Sequence, residues 1–328
     1  MAMTPLQYTI IQLLADGLFH SGERMARETG VSRAAVWKAL QELRTLGVAV
    51  HAVSGRGYAL AHSLELLDQS AILEHLPDST RSVLEQFDVH RSVDSTNACL
   101  LRQANGHTVS ACVAEHQSAG RGRRGRSWIS PLGGNLYLSL RWRFDEGMGR
   151  LAGLSLAVAV AVIRTLQEFG IQDAALKWPN DVYWHGRKLG GILLEITGES
   201  AGPCLVVIGI GINVTMPAAS GKDIDQPWVD LASIRAGISR NKLAGRLLHH
   251  LVGALLTFTQ SGMSSFEQEW CAADLLLGRE VILSQPGADV RGIGRGIAHD
   301  GALLLEIAGQ IQRYTYGEVS PRLLERPV

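Results

Sequence analysis

Apolar positions near the N-terminus recur with the period of a helix. Leu6, Ile10, Leu13, Leu14 and Leu18 predict a first helix. Ser21 opens a short second helix that ends at Gly30, where a glycine turn is expected. Ser32 is a good N-cap for a third, with Val36, Leu40, Leu43 and Leu46 as its apolar stripe and Gly47 as its stop. Ala26, Gly30 and Val36 have the spacing of a helix-turn-helix, placed at 22–41: a small residue where helices cross, a glycine in the turn, a branched residue packing the second helix. Val48–Val53 and Tyr58–Leu60, on either side of Ser54-Gly55-Arg56-Gly57, read as two strands around a glycine turn. Together these predict a winged helix over residues 1–63; on pattern alone, a small three-helix interaction domain is the alternative.

Leu64, Leu67, Ile72, Leu73 and Leu76 predict a linking helix over 64–82, ended by Pro77. From 83 to 268 strands and helices mix. Val89–Val93 reads as strand, and Asp94-Ser95-Thr96-Asn97 either caps the helix that follows or points at a ligand. Val109–Ala114 is a buried strand, and Asn135–Leu140 alternates as a strand does. Leu151–Phe169 is a long apolar helix; its Gly153-Leu154-Ser155-Leu156-Ala157 only approaches a nucleophile elbow, because it lies within the helix. Pro179 ends a strand, leaving Asn180 and Asp181 at a turn, and Lys188 begins the next. Leu205–Val214 is a buried strand with Gly209, Gly211 and Asn213 on one side, leaving room for a flat ligand beside an amide. Neither a dinucleotide fingerprint nor a P-loop is completed. After an amphipathic helix over 240–262, four or five short strands predict an SH3-like β-barrel over 269–328. The fold class is α+β: N-terminal winged helix-turn-helix, central mixed-sheet α/β domain, C-terminal barrel.

At 328 residues and 46% hydrophobic content the chain can build a large core without staples. Thirty-one basic and 31 acidic residues balance, so no whole-molecule field draws it to nucleic acid or membrane. Residues 1–63 hold six basic and four acidic side chains, a surplus too small for tight DNA binding by one copy. Two copies on paired half-sites are expected, with Ser32, Arg33, Trp37 and Lys38 facing the groove and Arg56 at the wing tip. Cys99, Cys112, Cys204 and Cys271 show no close pair and no metal-ligand spacing, and no signal peptide opens the chain. Leu151–Ile163 is too short to span a bilayer. A reduced, cytoplasmic protein without a membrane partner is expected.

The most polarised stretch is Gly120-Arg121-Gly122-Arg123-Arg124-Gly125-Arg126, four arginines and three glycines between two apolar strands. Glycines let backbone approach a ligand or adopt positive φ, and guanidinium groups supply forked donors for carboxylate and phosphate oxygens. Arg/Gly mixtures also occur in disordered nucleic-acid-binding tails, but such a tail is not expected inside a sheet. An anion is the expected ligand, and Trp128 offers a flat face for a base. Lys188 can act as a point charge on phosphate or carboxylate, although lysines at strand starts are also commonly solvated.

Taken with Asp94-Ser95-Thr96-Asn97, Lys177-Trp178-Pro179-Asn180-Asp181, Arg187-Lys188-Leu189-Gly190-Gly191-Ile192 and Gly209-Ile210-Gly211-Ile212-Asn213, this loop resembles that of the biotin protein ligases. With the winged helix, nearly the whole chain resembles the bifunctional bacterial form that also represses the biotin operon. The resemblance implies a biotin–[biotin carboxyl-carrier protein] ligase. It would form biotinyl-5′-AMP from biotin and ATP with Mg2+, then pass biotin to a lysine of the carrier protein of acetyl-CoA carboxylase. It implies biotin contacts at Ser95, Thr96, Asn97, Gln117, Arg121, Gly122, Arg123 and Lys188, with Lys188, Arg121 and Arg123 catalytic. Arg126, Trp128, Asn180, Asp181 and Asn213 would hold the nucleotide, and Arg322 is a weaker candidate for closing the site. The adenylate would act as corepressor, ordering the loop and favouring a homodimer on operator DNA. Two alternatives stand: a ligase whose winged helix does not bind the operator, and a regulator that senses an anionic metabolite without catalysis. His116, Ser118 and Gly134 depart from the family's usual residues.

Overall fold

The structure is a computed structural model that describes residues 3–61, 63–103, 107–198, 202–284, 289–315 and 320–323. Three helices open the chain: α1 (Pro5–Leu14), α2 (Gly22–Thr29) and α3 (Arg33–Thr45). Each has its cap. Thr4 and Gln7 form a reciprocal capping box on α1, and Ser21 and Ser32 accept from Arg24 N and Ala35 N. Gly30 ends α2 in the left-handed region at φ 69°. The expected first helix is too long. It stops at Leu14, Gly17 turns the chain at φ 75°, and Leu18 is 64% exposed.

The hairpin of β1 (Val50–Val53) and β2 (Gly57–Leu60) completes the winged helix. His20 and Tyr58 exchange main-chain hydrogen bonds of 2.8 and 2.9 Å, so the wing is tied to the turn before α2. Gly57 is required there: a Cβ would lie 2.2 Å from His20 O. Ile10, Ile11, Leu14, Met25, Val36, Leu40 and Leu43 form the core beneath.

The expected helix over 64–82 is broken. Only α4 (Gln69–Glu74) and α5 (Asp78–Arg81) are helical, and Pro77 precedes the second. Residues 65–68 form no helix because distant side chains take their backbone groups. Leu67 N donates to Glu115 Oε1 at 2.5 Å, Asp68 N to Asn241 Oδ1 at 2.9 Å, and Leu66 O accepts from Asn241 Nδ2 at 3.0 Å.

The larger part of the chain follows as β3 (Gln86–His90), α6 (Thr96–Leu101), β4 (Val109–Ala114), β5 (Leu136–Phe144), α7 (Leu154–Glu168), β6 (Ala174–Lys177), β7 (Asp181–Trp184), β8 (Arg187–Gly198) and β9 (Cys204–Ile212). Short helices α8 (Ala218–Gly221) and α9 (Leu231–Ile234) precede the long α10 (Arg240–Ser261) and then α11 (Glu267–Ala273). The seven strands are ordered β3-β4-β5-β9-β8-β7-β6, β3 and β4 parallel, β6, β7 and β8 antiparallel. Contacts divide the chain into two compact units, residues 1–141 with 209–245, and 142–208 with 246–328.

In the first unit β4 is buried along its whole length, as its apolar run predicts. β5 is buried on both faces except at Arg143, so its sequence alternation does not mark a solvent face. At the C-terminal end of β4, Glu115 and Arg240 form an ion pair of 2.8 Å, 1% and 4% exposed. Arg240 also donates to Asn135 O at 3.0 Å and to Glu65 O, through Nε at 3.2 Å and again through Nη2.

In the second unit α7 is the core helix. With the turn before it, Met148–Glu168 has the length and composition of a membrane span, yet 78% of its apolar window is buried in protein. Ser155 Oγ donates to Pro179 O at 3.1 Å, which removes it as an exposed nucleophile. The C-terminal strands β10 (Glu280–Ser284), β11 (Val290–Ile297), β12 (Leu303–Ile307), β13 (Gln310–Tyr314) and β14 (Ser320–Leu323) form the expected small β unit, an antiparallel sheet ordered β13-β12-β11-β10-β14. The side chain of Arg322 lies outside the described residues. Asp274, after α11, has a buried Oδ2 without a hydrogen-bond partner, and burial pushes its carboxyl up to about 6.

Two stability measurements follow. Glu115→Gln leaves Arg240 buried without its counter-charge, and urea unfolding should register a loss of about 3–5 kcal/mol. Between about pH 4 and pH 6 folded Asp274 keeps a proton that the unfolded chain has released, so stability falls as pH rises through that window. Asp274→Asn should match wild type at pH 4 and exceed it by about 1–2 kcal/mol at pH 7; equal stability at both pH values would contradict the burial of this charge.

Candidate active site

The arginine-glycine loop is a closed turn built on its own backbone. Gly122 N donates to Arg126 O at 2.7 Å, Trp128 N to Gly120 O at 2.9 Å, and Arg121 bridges Ser127. Arg123–Gly125 form a single 3-10 turn. Positive φ is needed only at its tip, at Gly125 (70°) and, unexpectedly, Arg124 (56°). Gly120 serves close approach instead: a Cβ would lie 2.5 Å from Trp128 O. Arg121, Arg124 and Arg126 are exposed, while Gly122 and Arg123 are half-buried.

Beside the loop, five polar side chains form one hydrogen-bonded chain inside the apolar sheet. Gln117 Oε1 accepts from Thr96 N at 2.8 Å and Thr96 Oγ1 at 3.1 Å, and its Nε2 donates to Ser130 Oγ at 3.0 Å. Ser139 Oγ lies 2.7 Å from Thr96 Oγ1 and 2.6 Å from Asn97 Oδ1. Ser95, Thr96 and Asn97 are all buried. Capping does not explain Ser95: it occupies the N-cap of α6, but its side chain makes no capping hydrogen bond, and Gln117 satisfies Thr96 N instead. Asp94 is held by Arg102, whose guanidinium draws its carboxyl down to about 2.

The two glycines of β9 face this chain, but the space beside them is taken by protein. A Cβ on Gly209 would lie 2.3 Å from Asn97 Oδ1, and one on Gly211 would lie 2.6 Å from the Trp128 ring. The flat neighbour that the sequence predicts at Gly211 is therefore the indole itself. Asn213, 3% exposed, donates its amide to Val229 O at 3.1 Å. Gly134 has a structural reason, because a Cβ there would meet Thr215 O at 2.6 Å.

The second unit carries the lysine. Lys188 Nζ lies 2.8 Å from Asp181 Oδ1, with the two side chains 15% and 22% exposed, so this lysine is not solvated at a strand start. Asn180 is fixed by Ile192, donating from Nδ2 to its carbonyl at 2.6 Å and accepting its N–H at 2.9 Å.

On the winged helix, Arg33, Trp37 and Lys38 share the exposed face of α3, Trp37 being 56% exposed. Ser32 uses its hydroxyl on Ala35 N. Arg56 lies over the Phe19 ring at 4.3 Å. A cavity of about 450 Å³ is lined by Arg44, Leu46 and Gly47 at the C-terminal end of α3 together with Gln117–Gly120 and Trp128.

Sequence reasoning missed the supports. Ser139 signals itself as a lone hydroxyl in an apolar strand, and Ser130 does so less clearly. Glu115 and Arg240 give no local sign, because their pairing joins distant parts of the chain.

These features agree with the comparisons. The signature of the biotin/lipoate A/B protein ligase family matches residues 89–213, an HTH domain matches 6–59, and a biotin protein ligase C-terminal domain matches 276–322. The chain belongs to the biotin protein ligase family and is a ligase. More narrowly, its full-length similarity is to the bifunctional ligase/repressor BirA of Salmonella typhimurium, at 42% identity over 98% of this chain and 99% of that protein. The corresponding protein of Escherichia coli is 41% identical over 97% of each chain. The solved biotin protein ligase from Aquifex aeolicus in complex with biotin and ATP matches with a TM-score of 0.62 at 27% identity, covering 73% of this chain and 100% of that one.

Gly209→Ala tests the polar chain, since its methyl must displace Asn97 from Ser139. Leaving these buried groups unsatisfied should cost about 1–3 kcal/mol in urea unfolding; an unchanged midpoint would show that the pocket yields freely.

Proposed function

We propose that the chain activates biotin as biotinyl-5′-AMP, transfers it to a lysine of the carrier protein of acetyl-CoA carboxylase, and uses the adenylate as corepressor on operator DNA. The observation that carries this reading is the uncharged, largely buried chain Asn97–Ser139–Thr96–Gln117–Ser130 beside a loop of guanidinium groups. Biotin has the matching polarity: a neutral ureido ring with donors and an acceptor at one end, a carboxylate at the other. Ser95, Thr96, Asn97 and Gln117 would read the ring, and Gly122 would let backbone approach the ligand.

In the first step a biotin carboxylate oxygen attacks the α-phosphorus of ATP, and the bond to pyrophosphate breaks. Two anions must meet, so Lys188, Arg121 and Arg123 serve by neutralising charge and fixing the line of attack. Asp181 holds the Lys188 ammonium in place beforehand. Arg126, Trp128, Asn180, Asp181 and Asn213 form the nucleotide side, Trp128 by stacking. Among the described residues no three carboxylates converge on one point, so Mg2+ would arrive with the triphosphate and not in a protein cage. In the second step the acceptor amine attacks the acyl carbon, AMP leaves, and the amine loses a proton. No enzyme nucleophile is required.

Operator binding is assigned to Ser32, Arg33, Trp37, Lys38 and Arg56, with two copies on paired half-sites and the homodimer formed through sheet edges. The cavity between the end of α3 and the arginine-glycine loop supports a link between the two activities. Residues 1–63, 83–268 and 269–328 would then divide the labour among DNA binding, chemistry and the C-terminal β unit, in a cytoplasmic setting. A ligase that does not bind the operator remains the second reading. An intact pyrophosphate burst with no shift of operator DNA, whether or not biotin and ATP are present, would decide for it.

The central test is pyrophosphate release with biotin and ATP but no acceptor. Wild type should give a burst near one equivalent, and a non-catalytic sensor none. Lys188→Ala should slow the burst by about 100-fold or more. An undiminished burst in that variant would remove Lys188 from the reaction.

A further inference from the structure

Two of the cysteines that show no metal spacing in sequence meet a histidine where α6 packs on β4. On β3 and β4 the register places Asp88 opposite Cys112, and strand alternation puts His90 on the same side as Asp88. α6 packs on β4 and brings Cys99 over them. One donor atom each from His90, Cys99 and Cys112 lie within 4.8 Å of one another. His90 Nε2 is 3.5 Å from Cys99 Sγ, and both thiols are free.

We propose that His90, Cys99 and Cys112 form a binding site for a thiophilic cation of the zinc class. An imidazole and two sulfur ligands from two strands and a helix are the donor set that such ions prefer over magnesium or calcium. Three protein ligands leave a fourth position of the tetrahedron for water or an outside ligand. Asp88 already accepts from Gln86 Nε2 at 2.6 Å and contributes negative charge facing the site. The electronic state also fits. Hydrogen bonds from Cys112 and His90 pull the Cys99 thiol down to about 5, while its bond to Cys99 and burial raise that of Cys112. Whatever protons the two sulfurs hold are released to solvent when the ion binds.

Burial sets the kind of site. Cys112 is fully enclosed, but His90 and Cys99 are half-buried, which suits an exchangeable ion better than a permanent structural one. Cys112 Sγ also lies 3.6 Å from Thr96 O, so the same thiol touches the first turn of α6.

The test uses the full-length reduced protein and Co2+ as a spectroscopic probe. Wild type should develop thiolate-to-cobalt charge-transfer absorption and tetrahedral visible bands at one equivalent, both abolished by Zn2+. Cys99→Ser and His90→Gln, each replacing a half-buried side chain and checked for folding by circular dichroism, should weaken binding by more than about tenfold. Cys271→Ser should leave the spectrum unchanged. Zn2+ should also protect Cys99, but not Cys271, from alkylation mapped by mass spectrometry. Absence of the bands in folded wild type overturns the proposal, as does an equally tight cobalt complex in Cys99→Ser and His90→Gln.

Discussion

The first unit is held together where Glu115 meets Arg240. A carboxylate and a guanidinium in so dry a place gain little over apolar side chains of equal volume, since desolvation offsets most of their attraction. Their importance is positional. Glu115 accepts from Leu67 N as well as from Arg240, and Arg240 also reaches Asn135 O and Glu65 O. The pair therefore joins the end of β4, the segment after the winged helix, the start of β5 and the start of α10. Neither ion can move without stranding the other, so the cluster has one geometry. Gln117, two residues beyond Glu115, inherits that precision.

Around this anchor the site is shaped as much by missing side chains as by those present. Gly209 and Gly211 leave β9 bare where Asn97 and the Trp128 indole press against it, and Gly120 lets the loop fold back onto Trp128 O. A polar chain in such surroundings is stable only when fully connected, because each unmet donor or acceptor is costly at low dielectric. Thr96, Asn97, Gln117, Ser130 and Ser139 are bonded to one another, and Ser130 passes the chain on to Trp128 O. The result is a rigid polar patch in an apolar sheet, suited to a neutral hydrogen-bonding ligand.

The winged helix was legible apart from the end of its first helix, since α2 and α3 open at Ser21 and Ser32 and stop at Gly30 and Gly47. The arginine-glycine loop and Lys188 stood out as candidates because charge and glycine are concentrated there. The segment after Leu64 was not legible. Its apolar spacing suits a helix, but its backbone groups are taken by Glu115, Asn241 and Arg240, partners remote in sequence. Long-range hydrogen bonding overrode local preference. The same limitation hid Ser139 as a partner of Asn97, and His90 as a neighbour of Cys99 and Cys112. In each case a sheet register or helix packing makes the contact, and neither is written in a short window.

A coupling between DNA and the adenylate needs more than two sites on one chain. A ligand shifts an equilibrium only by binding its two states unequally. The cavity beside α3 is lined by Arg44 and Gly47 together with Gln117, Gly120 and Trp128. Arg44 is also tied to the wing, donating to Val50 O at 3.0 Å. A change in the seat of Trp128 would therefore alter a cavity that residues at the end of α3 also line, and one of these, Arg44, bonds β1. If the loop met only its own sheet, adenylate could order it fully and leave the winged helix unaffected. With lining residues in common, a ligand that moved Trp128 would be felt at the end of α3, which is the condition the proposed coupling needs.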